Sequence, residues 1–350
     1  MTIHHNLQSD LELNVSKLQL SAVSQETIEL NRHLQELELK CPRWFDVGAV
    51  EYRRMRKLGQ TPLIPSISVP SAVSDALPSR DKGRTIPCRI LRPSNSSVKA
   101  GGLLLHFHGG GWVLNDEESS DTYLQSIADS CQLVCISAGY RLAPEHPFPA
   151  GPEDCMDVAQ WLIANGAEKY GASLAFICGE SAGANLALVT SLGLLRSPLL
   201  EYANFRLKGL LLHYGAFSLL WQPGTRLFQK DSTLVLDEET LDSFRKAYLT
   251  HSDIETITSP QISPFYADLN GIQLPEALIT CGTNDCLLED SVFMSTRWIL
   301  AGGKAVLKLY PGSSHGFILF SPDRHENTKL ALSDVATFIR PKLIVDSSKL

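Results

Sequence analysis

The chain has 350 residues, 44% of them hydrophobic and 20% charged, and a formal net charge of −7. That length accommodates one large α/β domain with insertions, or two small domains. The acidic balance and the lack of any long Lys/Arg run argue against a nucleic-acid partner, and no uninterrupted apolar run approaches membrane-spanning length.

Residues 1–15 show no apolar core flanked by basic residues, so no secretory signal is expected there. Helical patterns at 25–39 and 47–58 mark residues 1–60 as an N-terminal cap segment. Within it, Arg53-Arg54-Met55-Arg56-Lys57 reads as a solvated helix face. From about Thr85 short apolar strands are expected at 86–91, 102–107, 133–137, 174–178, 207–213, 277–281 and 305–310. Helices are expected between them at 121–131, 153–165, 184–195, 291–301 and 327–339. Several strands are almost wholly apolar, as strands covered on both faces are. The alternation predicts an α/β fold: a mostly parallel sheet with helices on both sides, spanning 61–343. Pro93-Ser94-Asn95-Ser96-Ser97 reads as a surface turn. The stretch 217–268 breaks the rhythm, with one clear helix at 238–249. A long insertion of this kind after a strand is expected to form a cap together with the first 60 residues. Pro341 should stop the last helix and leave 344–350 as a free tail.

The chemistry is carried by a few loops. Gly179-Glu180-Ser181-Ala182-Gly183 reads G-x-S-x-G where an apolar strand gives way to a helix. A serine at such a turn is held in a strained backbone with its hydroxyl exposed, and the helix N-terminus behind it offers an unpaired amide. Acyl transfer also needs donors for an oxyanion, a base, and an acid to orient that base. Phe107-His108-Gly109-Gly110-Gly111-Trp112 follows a buried strand, and its glycines let amides approach a carbonyl oxygen. Gly110, Gly111 and Ala182 are the expected donors, each lowering the barrier by roughly 3–4 kcal/mol. Trp112, closing the glycine run, is taken as a substrate-binding residue. His315 follows the last strand and Asp285 the one before it, completing the order Ser181, Asp285, His315. Glu289 and Asp290 are rival acids, but they sit at a helix start where capping is their expected work. Glu180 is expected to be a buried, hydrogen-bonded support. No metal or organic cofactor is required. The eight cysteines form no C-x-x-C pair and read as buried free thiols.

These motifs resemble the hormone-sensitive-lipase-like branch of the α/β-hydrolases. The likeness rests on His108-Gly-Gly-Gly-Trp112, Tyr140-Arg-Leu-Ala-Pro-Glu-His-Pro-Phe-Pro-Ala150, Gly179-Glu-Ser-Ala-Gly183, Asp285-Cys-Leu-Leu-Glu-Asp290 and Ser314-His-Gly-Phe317. It implies the α/β-hydrolase fold with a helical cap and a serine hydrolase acting on carboxylic esters through an acyl-enzyme. Arg141 and Glu145 are read as structural. Glu180 departs from the Asp or Thr usual before the nucleophile in this branch. The sequence ends Ser348-Lys349-Leu350, the tripeptide read by the peroxisomal import receptor, so a peroxisomal location is expected. With that address, the layout is also similar to peroxisomal hydrolases of fungal secondary metabolism. This opens a second reading, turnover of acyl-CoA thioesters or acyl transfer to an alcohol. A third reading is non-catalytic binding of a small molecule, as in plant gibberellin receptors, which share the fold and lack the triad histidine. Composition leaves monomer and homodimer open.

Overall fold

A computed structural model of the chain describes residues 9, 11–63, 67–95, 97–199, 202, 205–228 and 234–343. Its strands are β1 (Val73–Pro78), β2 (Thr85–Leu91), β3 (Leu103–Phe107), β4 (Val134–Ala138), β5 (Leu174–Glu180), β6 (Gly209–His213), β7 (Ala277–Gly282) and β8 (Ala305–Tyr310). They make an eight-stranded sheet in the order β1-β2-β4-β3-β5-β6-β7-β8. β1 and β2 pair antiparallel, as do β2 and β4, and the other neighbours are parallel. Every residue of β3 to β7 is buried, which is why those segments lack polar alternation in the sequence.

The helices are α1 (Gln25–Glu38), α2 (Trp44–Val47), α3 (Ala49–Lys57), α4 (Asp121–Cys131), α5 (Ala150–Tyr170), α6 (Ala182–Arg196), α7 (Pro223–Leu227), α8 (Glu238–Tyr248), α9 (Ile254–Thr258), α10 (Leu288–Leu300) and α11 (Glu326–Leu343). Two hydrophobic cores lie on the two faces of the sheet. Leu103, Leu105 and Phe107 of β3 join the core with Leu162 of α5, Leu186 of α6 and Trp298 of α10. Leu104 points the other way, into a core with Leu124 of α4 and Ile339 of α11. Parallel strands with helices on both faces place the strand C-terminal ends along one edge, where ligands bind in open α/β sheets.

The cap joins two distant parts of the chain over that edge. The Trp44 ring stacks on Phe244 of α8 at 4.9 Å, and Arg43 pairs with Asp237 at 2.7 Å. Asp237 is also the N-cap of α8, accepting from the Thr240 amide at 2.8 Å.

Three expectations from sequence need correction. β1 was not anticipated: only Leu77 of its six residues is buried, so an edge strand of Ser, Asp and Pro carries no apolar alternation. The helix expected at 47–58 is α3, but a short helix, α2, precedes it unpredicted, and Gly48, whose φ is +85°, separates the two. Pro341 does not stop α11, which continues to Leu343. Contacts on either side of the proline hold its last turn down, with Arg340 donating to the Ser130 carbonyl at 2.8 Å and Lys342 pairing with Glu276 at 2.7 Å. The terminal Ser348-Lys349-Leu350 lies outside the described residues. Among the described residues, no helix is long and apolar enough to cross a membrane. Seven of the eight cysteines are buried and free, and Cys41 is half-buried.

Candidate active site

The turn from β5 into α6 places Ser181 at φ 56° and ψ −121°, a strained backbone for any residue with a side chain. Its amide donates to the His213 carbonyl at 2.9 Å, fixing the turn to the end of β6. Space explains the flanking residue types. A Cβ at Gly183 would fall on the Phe107 carbonyl oxygen, and so would force α6 away from the sheet.

Loops after β7 and β8 bring the other two groups. The Asn284 amide donates to the Ser313 carbonyl at 3.1 Å and ties these loops together. His315 Nδ1 lies 2.8 Å from Asp285 Oδ2, and His315 Nε2 lies 2.8 Å from Ser181 Oγ. A carboxylate only accepts, so Nδ1 carries the hydrogen and Nε2 is left to accept from the serine hydroxyl. The second carboxylate oxygen of Asp285 accepts from the Leu287 amide at 2.9 Å. Both Asp285 and His315 are buried, and the Tyr214 ring meets His315 edge-on at 4.8 Å.

The rival acids stand elsewhere. Asp290 Oδ1 accepts from the Phe217 and Ser218 amides at 3.0 and 2.9 Å, while its Oδ2 is buried with no partner among the described residues. Burial raises the Asp290 pKa to about 7. Glu289 accepts from the Gly224 amide at 2.7 Å. Both hold the start of the cap insertion.

The glycine loop after β3 faces Ser181. Its first amide is already engaged, since Gly109 donates to Glu180 Oε1 at 3.0 Å. The loop is pinned further by Leu114 N to Gly110 O at 2.8 Å and Asn115 Nδ2 to Gly109 O at 3.1 Å. Gly110 and Gly111 adopt φ of 111° and 61°. Among the described residues none accepts from the Gly110, Gly111 or Ala182 amides. Gly110, Gly111, Ala182, Ser181 and His315 all border one cavity.

Glu180 itself is buried and points away from the reacting hydroxyl. Oε1 also accepts from Ser120 Oγ at 3.0 Å, and Oε2 lies 2.6 Å from His106 Nε2. Burial alone would raise its pKa, but the charge and hydrogen bond of His106, aided by the Gly109 amide, bring it down to about 2. Beside it, His108 and His213 are held neutral by burial, each with a pKa lowered to about 4.

The cavity has a volume of about 700 Å³ and runs from Ser181 up into the cap. Trp112 borders it, but its ring is 2% exposed and stacked on Tyr248 at 4.6 Å, which makes it wall more than surface. Arg141 is bound to Asp154, and Glu145 to Arg53. Neither Arg141 nor Glu145 lines the cavity. Sequence reading missed Tyr52, Tyr214, Leu236 and Phe244, which do line it. Tyr214 stands directly after β6 and could have been flagged by that position. The cap residues carry no such local signal. Among the described residues no group of three or more His, Cys, Asp or Glu side chains could hold a metal ion.

This sheet order, with a serine elbow between β5 and α6 and a capped cavity above it, defines an α/β hydrolase. A family model described as the alpha/beta hydrolase fold matches residues 104–319. An esterase of Acinetobacter venetianus is 32% identical over 256 residues, 72% of this chain and 80% of that one. A probable carboxylesterase of Arabidopsis thaliana is 27% identical over 85% of this chain and 95% of its own length. The solved hyperthermophilic esterase of Pyrobaculum calidifontis superposes with a TM-score of 0.77 at 28% identity, covering 89% of this chain and 97% of that one. The chain belongs to the α/β-hydrolase-fold family, in the branch its motifs resemble.

Proposed function

We propose that this carboxylic ester hydrolase works through a Ser181–His315–Asp285 triad and an acyl-enzyme. Ser181 Oγ attacks the ester carbonyl while His315 Nε2 takes its proton, and the new charge on the carbonyl oxygen is met by the Gly110, Gly111 and Ala182 amides. His315 then gives the proton to the leaving alcohol, the C–O bond breaks, and Ser181 holds the acyl group as an ester. Water, deprotonated by the same nitrogen, adds to that ester and releases the acid, returning the proton to Ser181. Asp285 keeps the hydrogen on Nδ1 and stabilises the charged ring.

One observation carries this reading: the unbroken chain of 2.8 Å contacts from Ser181 Oγ through His315 to Asp285, at the floor of the cavity. It also weighs against a pure binding role, which needs no such relay. The experiment is burst kinetics with a p-nitrophenyl ester, with mass spectrometry of the quenched enzyme. A stoichiometric burst and an acyl adduct on Ser181 are expected. Steady turnover that survives in Ser181→Ala would overturn the mechanism.

A further inference from the structure

The cavity has a charged end that the hydrolytic steps leave unused. Glu38, Arg43 and Arg56 line it, while Glu180 lines the cavity beside Ser181. Glu180 is held by His106, Gly109 and Ser120. Arg43 is committed to Asp237 at 2.7 Å and to Thr240 Oγ1 at 3.0 Å. Arg56 differs, and its neighbours in the basic run of α3 make the difference plain. Arg53 pairs with Glu145 at 2.8 Å and donates to the Val113 and Ala143 carbonyls; Arg54 pairs with Glu51 at 2.7 Å; Lys57 pairs with Asp116 at 3.0 Å. The run is therefore not one solvated face, as its sequence suggests. Arg56 alone of these four lines the cavity, half-buried, and its guanidinium makes no hydrogen bond or ion pair with any described residue. Tyr52, one turn earlier, lines the cavity beside it.

A guanidinium stays charged in a protein, and a cation taken out of water needs a counter-ion. Burial lowers the pKa of Arg56, and only Tyr52 and Asp116 pull it back. An unpaired cation in the wall of a substrate cavity is satisfied when the ligand brings the anion. We propose that the ester cleaved here carries a carboxylate remote from its reacting carbonyl, and that Arg56 is the residue that selects it. This rests on the esterase reading above. One free guanidinium matches one carboxylate, bidentate, while a phosphate dianion would call for a second free cation. Glu38 opposes an anion less than an ordinary carboxylate would, because burial raises its pKa to about 7 and leaves it about half protonated at neutrality. The cavity that holds both Arg56 and Ser181 is also lined by Leu39, Trp44, Leu114, Leu241 and Phe244. The substrate class is thus an apolar body with an ester at one end and a carboxylate at the other.

The test compares mono-p-nitrophenyl adipate with p-nitrophenyl hexanoate, which differ in the terminal carboxylate. Arg56→Gln is expected to lower the adipate-to-hexanoate ratio of kcat/KM roughly 10- to 100-fold, through KM, as loss of a charged hydrogen bond does. Arg56→Lys should keep part of the preference. A ratio that Arg56→Gln leaves unmoved overturns the proposal. Melting by circular dichroism checks that each variant folds, and Arg56→Lys carries the comparison if Arg56→Gln does not. Binding of the adipate ester to Ser181→Ala, followed by tryptophan fluorescence, needs no turnover. Should the wild type hydrolyse neither ester, the esterase reading fails, yet binding that weakens with Arg56→Gln still upholds the anion site. Binding indifferent to Arg56 sinks it.

Discussion

The Glu180 carboxylate accepts the Gly109 amide at 3.0 Å, so the residue before the nucleophile holds the loop that faces the developing oxyanion. The same side chain meets His106 at 2.6 Å in a wholly buried pair. Removing it strands both partners. Glu180→Ala is expected to cost about 3–5 kcal/mol of stability, the usual loss when one half of a buried pair is deleted. It should also lower kcat roughly 10²-fold with KM little changed, because the Gly110 and Gly111 amides lose their alignment. Urea unfolding and steady-state kinetics on the folded variant separate the two effects. Lost stability with an unchanged kcat would reduce Glu180 to packing.

The two candidate acids make opposite predictions. Asp285→Asn removes the acceptor that fixes the His315 hydrogen on Nδ1, and kcat should fall on the order of 10⁴-fold. Asp290→Asn should leave kcat within about tenfold, since Asp290 binds the Phe217 and Ser218 amides and no triad member. Side-by-side kinetics with one p-nitrophenyl ester decides. The reverse ranking would reassign the acid.

Asp290 also sets a pH dependence of stability. Its folded pKa is raised from 3.8 to about 7, so the folded protein keeps this proton where the unfolded chain has released it. Its contribution therefore weakens as pH rises from about 4 to 7 and is level above that. Asn in its place keeps the Oδ1 acceptor and cannot ionise. The stability of Asp290→Asn relative to wild type should grow between pH 5 and pH 8, measured by urea midpoints. A difference that stays constant with pH would mean Asp290 titrates near its ordinary value.

The strands β2 to β8 and the loops that carry the site were legible because their signals are local. A buried parallel strand is an apolar run, and a glycine triplet or a serine elbow directly after one states its own geometry. Ser181 could be chosen by its G-x-S-x-G turn, and Asp285 and His315 by their places after the last two strands. The two cap segments, 1–60 and 217–268, stood out by breaking the strand–helix rhythm, but the contacts that join them were not legible. Trp44 stacks on Phe244, and Arg43 pairs with Asp237, across some two hundred residues with no shared periodicity. The same gap explains the basic run of α3. Composition cannot tell that Arg53 is bound to Glu145, or that Arg56 turns toward the cavity. β1 was silent because one buried Leu77 makes no pattern.

Gly111 couples the cap to the oxyanion loop, and this can be measured. Its φ is +61°, and a Cβ there would land within the Phe244 ring, which is itself stacked on Trp44 at 4.9 Å and 11°. Gly111→Ala therefore carries two costs: about 1 kcal/mol for the left-handed backbone, and displacement of Phe244 from the wall. The displaced ring moves with α8, so the cavity opens and water enters near the Gly111 amide. A fall in kcat/KM of roughly 10- to 100-fold is expected. Phe244→Ala in the same chain frees the space but not the backbone. The double variant should thus regain part of the loss, with a coupling of about 0.5–3 kcal/mol in a double-mutant cycle on kcat/KM. Additive losses would show that Gly111 is required for its backbone alone, and that the cap and the oxyanion loop act independently.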